Sequence, residues 1–93
     1  MRGYTLDKDD YLLRLRKIEG QVRGLQRLVE DDTYCIDILT QIASVNAALQ
    51  KVALGLVDQH LRHCVIEAIT ASPEVGEQRL AEAIIAVERL VQL

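Results

Sequence analysis

Apolar residues recur along this chain at three- and four-residue steps, the signature of helices that bury one face. A first helix is expected from near Asp7 to Val29, where Leu12, Leu15, Ile18, Val22, Leu25 and Leu28 keep that period. Gly20 and Gly24 interrupt it without a proline; each costs about 1 kcal/mol relative to alanine, which suggests another backbone approaching along that face. The run Glu30-Asp31-Asp32-Thr33 closes this helix and opens the next, with Asp32 or Thr33 as the expected N-cap. From Tyr34 to about Ala71 there is no proline and Gly55 is the single glycine, while Cys35, Leu39, Ile42, Asn46, Leu49, Ala53, Leu56 and His60 follow a near-heptad seam. Ser72-Pro73-Glu74 then supplies an N-cap, a proline suited to the first helical position and an acid for the first turn. These announce a third helix ending near Val91.

The middle helix decides the architecture. About 38 residues at 1.5 Å each make a rod of about 57 Å, whereas a compact globule of this length has a radius of gyration of about 12–13 Å. One protomer cannot wrap that rod, so its apolar seam needs a partner, most simply a second copy lying antiparallel. A self-contained three-helix bundle would require the helix to break, and Gly55 is the obvious place. The expected fold is therefore all-α, with three helices per protomer, a long central helix and a single domain over residues 1–93.

Composition narrows this further. The chain has no Trp, no Phe and three tyrosines, so its core is aliphatic, and small domains of 93 residues are often marginal alone. No segment reaches the roughly 20 apolar residues that span a bilayer, and no signal-peptide pattern opens the chain, so a cytoplasmic protein without membrane contact is expected. The net charge of −3 hides an asymmetry. Residues 1–30 hold seven Lys/Arg against five Asp/Glu, and residues 31–93 hold four against nine. Arg14, Arg16, Lys17, Arg23 and Arg27 face only Glu19 within their window, which allows a local basic face. With no glycine-rich phosphate loop, no H-E-x-x-H and no recognisable nucleophile motif, an enzyme is not expected.

Cys35, His60 and Cys64 are the candidate metal ligands. His60 and Cys64 stand four apart, on one helical face about one turn from each other; adjacent His63 points about 100° away. Cys35 lies 25 residues before His60, about 37 Å on a straight helix. An antiparallel pair crossing near residues 48–49 would place Cys35 of one chain opposite His60 and Cys64 of the other, giving two sites per dimer. Two thiolates and one imidazole form a soft set suited to copper(I), which accepts three ligands where zinc usually wants four. The spacing alone equally allows two small buried thiols and an ordinary histidine.

Three segments, RLRKIEGQVRG (14–24), YCIDILTQI (34–42) and HLRHC (60–64), together resemble the copper-sensitive operon repressor family across nearly the whole chain. The resemblance implies a tetramer built from two antiparallel dimers, with Cu(I) held by Cys35 of one chain and His60 and Cys64 of its partner. Tyr34 and Glu82 match positions that hydrogen-bond around the ligand histidine. It also implies a repressor that holds operator double-stranded DNA when metal-free and leaves it when copper binds, derepressing copper-resistance genes. Arg14 and Lys51 match positions implicated in DNA binding, and Arg16, Lys17 and Arg23 offer further phosphate contacts. Residues 1–10 contain no histidine and position 64 is cysteine, unlike the nickel and cobalt sensors; His60 is present, unlike the persulfide sensors. The competing functions are a persulfide- or redox-sensing repressor crosslinking Cys35 to Cys64, and a copper buffer with no operator.

Overall fold

The computed structural model describes Tyr4 and residues 7–91. Helix α1 spans Lys8–Glu30 and α2 spans Cys35–Gln59; a π-helical turn, His60–Val65, continues α2 directly into α3, Ile66–Ala71, and α4 spans Pro73–Val91. The chain is thus all-helical, with the central helical stretch running from Cys35 to Ala71, close to the expected bounds. Among the described residues no helix is long and apolar enough to cross a membrane.

The chain divides into two compact units, one of residues 8–53 and a second that runs from Leu54 through α4 and takes in Asp7. In the first, α1 and the greater part of α2 pack through Ile18, Val45 and Val52, with Tyr11, Leu25 and Ala48 against them. Each fully buried aliphatic contributes about 1.5–3 kcal/mol, so this is a thin core. The periodic positions of α1 are only partly used: Ile18 is buried, whereas Leu12, Leu15 and Val22 remain 37–42% exposed. On α2 the buried stripe is Val45, Ala48 and Val52, about 80° round the helix from the near-heptad seam. Leu39, Ile42, Leu49 and Leu56 on that seam stay exposed.

The link between α1 and α2 corrects the expected N-cap. Asp32 takes a left-handed backbone, φ 56°. Its N–H donates to Val29 O at 3.2 Å, and the Thr33 N–H donates to Leu28 O at 3.0 Å. That pair of bonds is a Schellman ending, with Asp32 where glycine is commonest. The Tyr34 carbonyl accepts from the Asp37 and Ile38 N–H groups, so Tyr34, not Asp32 or Thr33, stands at the start of α2. Aspartate serves both helix starts and left-handed turns, and here the second use prevails.

In the second unit, Val65, Gly76 and Ala83 are buried. Ser72 is extended, and the Gly76 N–H donates to its carbonyl at 2.9 Å as α4 begins. The expected Ser72-Pro73 start therefore stands. A Cβ at Gly76 would lie 2.6 Å from Ile69 Cα and 2.9 Å from Ile69 N, so glycine lets α4 rest on the backbone of α3. Gly20 and Gly24 differ: a Cβ at either meets nothing within 4 Å, and the close approach expected there does not occur among the described residues. Nor is the central stretch interrupted at Gly55; its irregularity is the π turn five residues later.

Candidate functional site

The π turn contains the whole HLRHC segment. Hydrogen bonds from i to i+5 widen a helix by one residue per turn, an arrangement found mostly as short insertions and often at functional sites. His60 opens this turn and Cys64 lies within it, both half-buried. His60 lines a pocket of about 300 Å³ with Leu56, Val57, Glu82, Ala83 and Ala86. His60 and Glu82 therefore line the same space, and the Glu82 carboxylate accepts from Arg79 Nη1 at 2.9 Å.

Cys35 begins α2 in the other unit and is exposed, and neither cysteine is in a disulfide. Tyr34 beside it is 67% exposed. Among the described residues no three His, Cys, Asp or Glu side chains come together to hold one metal ion within the chain. A single protomer offers His60 and Cys64 on one turn, and Cys35 at the far end of the same helix sequence. The donor types fit a soft, low-coordinate ion, while their number in one copy falls short of three.

The basic residues resolve into two groups. Arg14, Lys17 and Lys51 line one pocket of about 180 Å³ with Ile18, Gln21 and Ala48, so basic residues of α1 and α2 share one cleft. Arg16 and Arg23 lie outside it, both exposed, and Arg23 pairs with Glu19 at 2.7 Å. Arg14 Nε meets Asp10 at 3.1 Å. Both ion pairs are solvent-exposed, so each contributes at most about 1 kcal/mol and yields readily to another anion. Gln21 had no place in the sequence reading, although 14, 17 and 21 share a helical face and that spacing could have found it.

An all-helical chain carrying a thiol and imidazole pair on one turn and, in its other compact unit, a cleft lined by basic residues has the outline of a metal-responsive DNA regulator. The model of the metal-sensitive transcriptional repressor family matches residues 7–89, and the chain belongs to that family. Its members are transcriptional repressors, not enzymes. Over 90 residues, 97% of this chain and 94% of the relative, it is 53% identical to the copper-sensing transcriptional repressor RicR of Mycobacterium tuberculosis. Over 76 residues, 82% of this chain and 73% of the relative, it is 51% identical to the copper-sensing transcriptional repressor CsoR of Bacillus subtilis. Its fold matches the crystal structure of the copper-sensing repressor CsoR with Cu(I) from Geobacillus thermodenitrificans, with TM-score 0.86 and 42% identity over 95% of this chain and 90% of that one.

Proposed function

We propose that this metal-sensing repressor is a copper(I) sensor that holds operator DNA when metal-free and releases it when Cu(I) binds to Cys35 of one protomer and to His60 and Cys64 of an antiparallel partner. The observation that carries the reading is the α2 seam. Leu39, Ile42, Leu49 and Leu56 are exposed, and the near-heptad series they belong to begins at Cys35 and ends at His60. A second copy laid antiparallel along that seam buries the apolar residues and supplies the ligand that each chain lacks. Two such dimers associating give the tetramer, a single cytoplasmic module without membrane contact.

Copper(I), when bound, supplies a tie between two thiolates and an imidazole that belong to different chains. The chain's own residues do the rest. In this reading Glu82, which lines the His60 pocket, fixes the ring's orientation through hydrogen bonding, and Tyr34 adjoins Cys35. Arg14, Lys17 and Lys51 take DNA phosphates, with Arg16 and Arg23 adding charge along the same helix.

Fluorescence anisotropy with operator DNA, with and without anaerobic Cu(I), tests the reading: binding weakens by about 5–150-fold when copper is present, the usual span of allosteric coupling. Equal affinity in both states overturns it. Persulfide or oxidant release that persists in His60→Ala would assign the protein to thiol sensing instead, and no preferred DNA at low salt would leave a copper buffer.

A further inference from the structure

The residue immediately before the π turn makes a contact that neither ligand binding nor DNA binding explains. Gln59 Nε2 donates a hydrogen bond to Asp7 Oδ2 across 52 positions of sequence. Gln59 is half-buried, and its Oε1 is buried with no hydrogen-bond partner among the described residues. The assignment of the amide is fixed by chemistry: a flipped Gln59 would set its carbonyl oxygen against the Asp7 carboxylate.

Two adjacencies give the contact its meaning. Asp7 is covalently next to Lys8, the first residue of α1, and α1 carries Arg14 and Lys17 of the cationic pocket. Gln59 is covalently next to His60, which opens the π turn and lines the Glu82 pocket. The bond itself is half-satisfied. An amide buried with its carbonyl unpaired loses hydration at one end, so its docked rotamer persists only while the other end keeps its charged acceptor.

We propose that Gln59 is a positioning residue that, through Asp7, couples the ligand-bearing turn to the head of α1. In the metal-free state the docked amide holds the first turn of α1. A change in the register or rigidity of His60–Val65 moves the adjoining Gln59 first, and the Asp7 bond is lost. The inference rests on the copper-sensing reading for the effector, while the latch itself is a property of the apo chain.

Hydrogen exchange and operator anisotropy on Gln59→Ala, Asp7→Ala and the double variant separate the two claims. In the apo protein, amides of Lys8–Leu12 exchange faster in either single variant than in wild type, and Cu(I) raises their exchange in wild type. The ratio of copper-bound to apo operator dissociation constants falls about threefold or more in each single variant and no further in the double, as for two ends of one interaction. Copper affinity, measured by competition with a chromophoric Cu(I) chelator, changes less than the operator ratio. Asp7→Glu, which keeps a charged acceptor, restores most of the ratio. Unchanged exchange at Lys8–Leu12 in Gln59→Ala overturns the latch even if copper still releases wild type from DNA. A wild type indifferent to copper overturns the proposed function, and with it the coupling role of Gln59. Additive losses in the double variant also sink the inference.

Discussion

Gly76→Ala should destabilise the protein, although alanine is the better helix former. The new Cβ would sit 2.6 Å from Ile69 Cα and 2.9 Å from Ile69 N, and it also meets Ile69 Cγ1. A rotamer change at Ile69 can clear Cγ1 but not the backbone atoms. Carbon atoms settle at about 3.5–4.0 Å, so α4 must move off α3 by about 1 Å at this point. Overpacking of that kind costs about 1–3 kcal/mol. Relief of glycine's helical penalty returns about 0.5–1 kcal/mol at most, less in the first turn of α4, where Gly76 lies. The net loss is about 1–2 kcal/mol, which in a domain of this size lowers Tm by about 4–16 °C. Gly20→Ala and Gly24→Ala serve as opposite controls, because their Cβ atoms meet nothing within 4 Å among the described residues. Each should raise Tm by about 4–8 °C through helix propensity alone. Thermal unfolding followed by circular dichroism, at one fixed protein concentration, reads all three. A Gly76→Ala protein as stable as wild type, or a Gly24→Ala protein less stable, would refute the reasoning.

Arg14→Ala and Lys51→Ala should each weaken operator binding across all sequences and reduce the slope of log K against log salt by about 1, measured by anisotropy at several salt concentrations, while copper affinity holds. A loss of affinity with an unchanged salt slope would remove them from the phosphate contacts. Leu49→Glu places a charge at the centre of the exposed α2 seam, 43% accessible in one protomer; sedimentation velocity should show smaller species, and an intact assembly would mean that the seam is not the interface. Asp32→Gly removes a left-handed cost of about 1 kcal/mol, part of which returns as glycine's larger unfolded-state entropy. Its Tm should rise by a few degrees while Asp32→Val falls, and the reverse order would contradict the Schellman assignment.

The helix boundaries were legible because they are local. Ser72-Pro73 sets an extended residue and a fixed φ side by side, and nothing distant is needed to start α4 there. The 3–4 period of α1 and α2 likewise needs only the chain itself. Two features were not local. The π turn contains no glycine or proline, and its i to i+5 register is a choice between hydrogen-bond patterns that the same residues can make either way. The left-handed Asp32 was misread because an acidic residue between two helices is a credible ending for one and beginning for the other. Gly76 was overlooked for a similar reason: its role lies in what packs against it, and Ile69 is identifiable as the neighbour only once α3 and α4 are in place.

The candidate site was legible to the extent that donor chemistry is written in residue type. Cys35, His60 and Cys64 announce soft coordination by themselves, but spacing could not say whether they meet. The first unit buries Val45 and Val52 and leaves Leu39, Ile42 and Leu49 in water. One helix thus carries two apolar stripes and satisfies only one of them inside the chain. The second stripe belongs to the same series as Cys35 and His60, so under the proposed function a helix unfinished in its packing is also unfinished in its ligand set. Both deficits are met by one antiparallel copy under the proposed arrangement. The linkage runs in both directions: a substitution that weakens the seam must lower copper affinity, and copper must strengthen the dimer by the same free energy. Isolated substitutions at the thiols cannot reveal this, because they remove the ligand without touching the seam. Ile42→Ala can, since it shortens an apolar contact seven residues from Cys35 and leaves all three donors in place. A fall in copper affinity that vanishes at high protein concentration is the expected signature. A copper affinity independent of concentration would mean that each protomer completes its site alone.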